Sequence, residues 1–367
     1  MRTRETPTVP EIRRSSHAFS DNQPTNHLKA QSSHSLTMID LVLVYKHIPK
    51  VFGTLAFIVN PIFVYLIFTE KSTKFGNYRY VLAYFATFNL VYSVANVTIP
   101  LDIHSHRYCF YIFINDGLFV DQSDFHLHIL SLRCALVAAS YAVLLSHFIY
   151  RFLVIHNSTL TRGNFHIYMM ISFGILMTYM LIWHTTCFFL GGASLEIKHY
   201  IRDNFKQLYG IEPTERNMIS SLYNEGSQNT VIRGWSSTII WMTVSTISIG
   251  AFLKLAHMIM KKLEATTNSV SLKTSKFQIE LLRALIVQTV IPIFVSFFPC
   301  VISFLVPIFN MDLGRPINYV EVIALGAFAF CDPVAIVMCL PVFRQRVLCQ
   351  KRTDDKEKRS SNTLPTL

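Results

Sequence analysis

Residues 129–151 read ILSLRCALVAASYAVLLSHFIYR. At 1.5 Å per residue this is a helix of about 35 Å, enough to cross the ~30 Å hydrocarbon core of a bilayer. Arg133 and Arg151 stand 18 positions apart in it, a separation of ~27 Å. They are therefore placed to bracket one crossing and snorkel to opposite interfaces. Arg151 has a second reading, as a movable cation at the inner mouth of a bundle that meets a cytoplasmic partner. For Arg133 the second reading is a counter-ion for an anionic ligand reached from outside.

Working outward, six more stretches have the same length and character: 51–68, 80–100, 165–189, 235–258, 284–309 and 320–342. The bulk composition agrees, with 51% hydrophobic and only 15% charged residues among 367. Such a chain is too apolar for a soluble fold, too rich in phenylalanine (29) for disorder and too poor in cysteine (7) for a disulfide scaffold. The predicted fold class is an all-α membrane protein, a bundle of seven transmembrane helices.

The net charge of +11 is an orientation signal and not a nucleic-acid footprint, because the basic residues sit between apolar runs. The loops after spans one, three and five, with the tail from Arg344, are basic, whereas the other three loops taken together are net acidic. The positive-inside rule then puts the N-terminus outside and the C-terminus in the cytoplasm. Residues 1–47 form a predicted disordered extracellular leader, 48–342 the bundle and 343–367 a cytoplasmic tail. The leader is the exception to the charge pattern, with seven Lys/Arg among residues 1–50. Met38, opening MIDLVLVYKHIPKVFG, reads as an alternative start.

The seventh span holds Asp332, read as the only carboxylate well inside any span, followed by Pro333. A carboxylate in hydrocarbon is costly, so it is predicted to face the bundle, and the proline supplies a hinge. Span six carries Pro292, Pro299 and Pro307 at intervals of seven and eight, which predicts a kinked helix able to swing. Around it Lys261, Lys262, Lys273 and Lys276, with Arg344 and Arg346 in the tail, form a basic surface for anionic lipid or a G protein. VFRQRVLC, 342–349, predicts a short interfacial helix with Phe343, Val347 and Leu348 on one face, and Cys349 is a palmitoylation candidate. Tyr141, Trp183 and His184, with Arg133, are the pocket candidates. Cys109 and Cys187 are candidates for an outer disulfide. His104, His106, His126 and His128 cluster near the outer face without metal-ligand spacing. No metal, cofactor or enzyme motif is identified, and no internal repeat of the kind common in transporters.

Several segments in order resemble one group: IPKVFGTLAFIVNPIFVYLIF, GNYRYVLAYFATFNLVYS, HSHRYCFYIF, HFIYRFLVI, ELLRALIVQTVIPIF and CDPVAIVMCLPVFRQRV. Over about 38–348 the chain is similar to the nematode seven-transmembrane chemoreceptors, serpentine receptor class J of the Str superfamily. That resemblance implies a G-protein-coupled receptor of sensory-neuron membranes, ciliary in location, with a small environmental molecule and a heterotrimeric G protein as partners. It also implies that Arg151 occupies the place of the inner span-three arginine of rhodopsin-like receptors and Asp332-Pro333 that of their span-seven Asn/Asp-Pro. Three departures stand out: Tyr150 supplies no acidic neighbour to the arginine, Ile336 replaces the tyrosine after the proline, and 191–233 has no cysteine. The alternatives are a seven-span ligand-gated channel of inverted topology, which the basic leader favours, and a membrane transporter or enzyme.

Overall fold

The computed structural model describes residues 24–70, 76–267, 272–311 and 315–348. Two compact units divide the chain, Met1–Val44 and Tyr45–Leu367. In the first, the described part is helical: α1 runs Pro24–Thr69. Apolar residues from Met38 to Ile48 extend the helical register of span one backwards, and no proline interrupts it between Pro24 and Pro49.

In the second unit, α1 is followed by α2 (Tyr78–Thr98), β1 (Leu101–His106), β2 (Cys109–Ile114), α3 (Asp124–Ile155), the short α4 (Thr159–Arg162) and α5 (Phe165–Thr185). Next come α6 (Leu195–Tyr200), α7 (Arg202–Tyr209), β3 (Met218–Leu222) and α8 (Gln228–Thr267). α9 (Leu272–Pro292), α10 (Phe298–Ile308), α11 (Arg315–Cys339) and α12 (Pro341–Val347) complete it. Among the described residues six helices are long and apolar enough to cross a membrane: α1, α2, α3, α5, α8 and α11. The remaining crossing, span six, is the broken pair α9 and α10, joined by a π-helical turn over Ile293–Phe297. Pro292 and Pro299 each lack the N–H that a regular turn would use, and a π turn accommodates that loss.

α3 is the central helix, with 83% of its most apolar window buried. It packs on α5 and α8, and α11 packs on α9, α2 and β1. α5 instead exposes Met170, Ile171, Phe173, Met177 and Leu181, the face a lipid-embedded helix presents to hydrocarbon. Where α11 passes α1, a Cβ on Gly326 would lie 2.8 Å from Pro49 Cβ, so only glycine permits that approach.

The outer loops contain structure that the sequence reading did not anticipate. β1, β2 and β3 form an antiparallel sheet in that order, with Leu101 opposite Ile114 and Phe110 opposite Ser221. Alternation along β2 sends Cys109, Tyr111 and Phe113 to one face and Phe110 to the other. The first set packs under Ile197, Ile201 and Phe205 of the α6–α7 segment. Phe110 instead joins the bundle core with Leu130, Trp183 and Trp241. The sheet therefore closes the outer end of the bundle.

Candidate functional site

Beneath the sheet lies a cavity of ≈ 40 Å³, with Ile103, Phe110 and Ile219 of the strands as its roof. Its walls come from α3 (Cys134, Val137), the α5 end (Trp183, Cys187), α8 (Trp241), α10 (Cys300, Phe304) and α11 (Glu321, Leu325). Aromatic rings dominate: Trp241 stacks on Phe304 at 5.8 Å and on Trp183 at 6.0 Å, and Phe110 meets Phe304 edge-on at 4.9 Å. The one charged residue in the lining is Glu321, which is buried and accepts a hydrogen bond from Ser303 Oγ on α10. The Trp241 indole N–H, also buried, has no hydrogen-bond partner among the described residues.

Of the pocket residues predicted from sequence, Trp183 lines this cavity; Arg133, Tyr141 and His184 do not. Tyr141 is packed within the core. His184 pairs with His128, Nε2 to Nδ1 at 3.3 Å, beside Phe188. Arg133 is not interfacial either, being 1% exposed. Its Nη2 donates to Asn96 Oδ1 at 2.8 Å and its guanidinium lies 5.0 Å from the Tyr92 ring centre. It thus bolts α3 to α2.

Cys109 and Cys187, the bridge candidates, are free thiols. Cys109 points to the outer side of the sheet and Cys187 lines the cavity below it, so strand alternation keeps them apart. Burial pushes the Cys109 thiol up.

The inner end has a different chemistry. Arg151 is buried as well, with its guanidinium 3.6 Å from the centre of the Tyr78 ring. Tyr78 stacks on Tyr150 at 5.5 Å and its hydroxyl is 3.5 Å from His147 Nδ1. Tyr168 closes the group, meeting Tyr150 at 5.4 Å and donating to the Ser146 carbonyl. Eighteen residues are five full helical turns, so Arg133 and Arg151 share one face of α3, and that face is the interior. This is why neither snorkels.

Asp332 on α11 is 1% exposed, and its Oδ1 has no hydrogen-bond partner among the described residues. The adjacent Pro333 cannot donate to the carbonyl of Ala329. Asn60 of α1 takes that role: its Nδ2 donates to Ala329 O at 3.1 Å and to Ala56 O at 3.0 Å. Sequence reasoning missed Asn60, Tyr78 and Glu321. Glu321 was discoverable, since it lies 11 residues before Asp332, about three turns on the same face. Asp332 is accordingly not the only carboxylate buried in the seventh span.

On the cytoplasmic side Lys261, Lys262 and Arg344 are exposed. Arg346 is committed to its own chain, donating to Leu66 O and Thr69 Oγ1 and standing 3.7 Å from Glu70. α12 forms the predicted short helix, but Phe343 is wholly buried against Phe63 while Val347 and Leu348 are exposed. Cys349, residues 1–23 and the side chains of Lys273, Lys276 and Pro292 lie outside the described residues.

Residues 39–347 match the family described as serpentine type 7TM GPCR chemoreceptor Srj. The chain is 53% identical over 304 residues to serpentine receptor class J-38 of Caenorhabditis elegans, covering 83% of this chain and 92% of that one. It is 21% identical over 316 residues to serpentine receptor class r-10 of the same nematode, covering 84% and 92%. To the C. elegans G-protein coupled receptor str-33 it is 23% identical over 276 residues, covering 71% and 77%.

Proposed function

Because this chain belongs to the serpentine class J family of seven-transmembrane G-protein-coupled chemoreceptors, we propose that the cavity under the outer sheet is its ligand site and the Arg151 region its G-protein switch. The receptor is a multi-pass membrane protein and not an enzyme; placement in the plasma membrane of a sensory cilium is part of the proposal.

One observation supports the coupling more than any other. α11 carries Glu321 in the cavity lining and, on the same face, the Ala329–Asp332–Pro333 region in the inner half. A ligand that presses on Glu321, Phe304 and Cys300 acts on α10 and α11 together. Both have a soft point, the π turn before α10 and the proline of α11. In the resting state Arg151 is held under Tyr78 by a cation–π contact, which stands in for the acidic partner absent from its sequence neighbourhood. Movement of α11 shifts α2, which packs on it, relative to α3 and so frees Arg151 from Tyr78 towards a partner.

The test is ligand-evoked nucleotide exchange on a co-expressed heterotrimeric G protein. Arg151→Ala and Asp332→Ala should each abolish the response while leaving surface expression largely intact. Loss of surface expression would instead make both residues structural.

A further inference from the structure

We infer that the cavity takes a short-chain amine, bound as its ammonium ion against Glu321. This rests on the cavity being the ligand site.

Four features of the lining lead there. Glu321 is its only charged residue and is 3% exposed. No lysine, arginine or histidine among the described residues pairs with it; its neighbours are the Ser303 hydroxyl and the Cys300 thiol. A buried carboxylate without a cation either takes a proton or awaits one from a partner. An organic ammonium supplies both the charge and the hydrogen-bond donors that Ser303 and Cys300 leave unfilled.

The surrounding rings suit the same group. Trp183, Trp241, Phe110 and Phe304 present aromatic surface around the carboxylate, and ring faces attract ammonium ions where water is excluded. An anion has no such support, because Arg133 faces Asn96 and Tyr92 outside the lining.

The volume sets the chain length. A cavity of ≈ 40 Å³ compares with roughly 10–15 Å³ for a single water, so the ligand has only a handful of heavy atoms. Charge balances by either route of entry. An ammonium ion meets the carboxylate, or a free amine takes the proton from the Glu321 carboxylic acid; both leave a neutral pair and no net charge buried.

The experiment expresses the full chain with a G-protein reporter and compares n-propylamine, isobutylamine and n-butylamine with the alcohol and ketone of matching shape. Amines should activate at concentrations roughly 100-fold below their neutral counterparts, the scale of breaking a buried charge pair. Glu321→Gln should remove that preference, and Ser303→Ala should weaken it several-fold. Neutral compounds acting as well as amines, or amine potency unchanged in Glu321→Gln, would overturn the inference and leave the receptor reading standing. Silence to amines with activation by another compound does the same. Silence to every compound, with the receptor verified at the surface, overturns both. If Glu321→Gln fails to reach the surface, the comparison of amine with neutral counterpart on the unaltered receptor decides.

Discussion

Glu321 at the outer end of the bundle and Arg151 at the inner end are both buried charges, and the two ends treat them differently. At the outer end Glu321 sits in an aromatic-lined space with a hydroxyl and a thiol beside it and no cation to pair with among the described residues. At the inner end Arg151 is covered by an aromatic ring of its own chain, Tyr78, with Tyr150 and Tyr168 behind. An unpaired carboxylate beside a cavity is a site that something else completes. A cation already seated on a ring is a latch that something else must open. The contrast assigns recognition to one end and transmission to the other, and α11 joins them.

The comparison breaks most severely at the latch. Arg151→Ala should eliminate G-protein activation, while ligand binding to the outer cavity, measured with a radiolabelled or fluorescent ligand on membranes, changes less than about threefold. Loss of binding to the same degree would show that the ends are not separable. Pro333→Ala comes next. It restores an N–H that competes with Asn60 for the Ala329 carbonyl, and should lower maximal signalling roughly fivefold to tenfold in dose–response curves without altering expression.

Tyr78 provides a sharper distinction. Removing the ring with Tyr78→Ala takes away a cation–π contact of about 1–2 kcal/mol and should raise ligand-independent signalling several-fold. Tyr78→Phe keeps the ring and should stay near the wild-type baseline, so equal effects of the two would assign the restraint to the hydroxyl. A stability change at the α1–α11 crossing is smaller in scope: Gly326→Ala puts a methyl 2.8 Å from Pro49 Cβ. This should cost about 1–3 kcal/mol, seen as a lower melting temperature of the solubilised receptor.

The smallest effect belongs to the outer loop. Glu212 is held at about 2 by hydrogen bonds from Arg202 and Lys206. A depressed carboxyl contributes above its ordinary range and loses that contribution as pH falls through its folded value. Glu212→Gln should therefore raise hydrogen exchange in α7 slightly and equally from pH 6 to 8, with the difference narrowing as pH falls toward 2.

Span count was legible because a 30 Å hydrocarbon core demands about 20 apolar residues whatever the fold. The family was legible in the same stretches, from IPKVFG to CDPVAIV. The Asp332-Pro333 pair was readable as buried for the same reason, since hydrocarbon penalises an exposed carboxylate. The outer sheet was not. HSHRYCFYIF alternates weakly, and its pairing with Met218–Leu222 joins strands more than a hundred residues apart, a register fixed only when both lie against the bundle. The place of Cys109 turned on the same point, since strand alternation and not proximity in the loops decides where it points.

The sequence by itself determined the membrane class, the seven spans, the charge asymmetry of the loops and the chemistry of each helix. Those follow from local composition and length against a fixed bilayer. Only the tertiary structure decided which charges would be buried together with what. Arg133 found Asn96, Arg151 found Tyr78, the Ala329 carbonyl found Asn60, and Glu321 found Ser303. Each of these outcomes depends on how helices distant in the chain face one another, and that geometry no single segment contains.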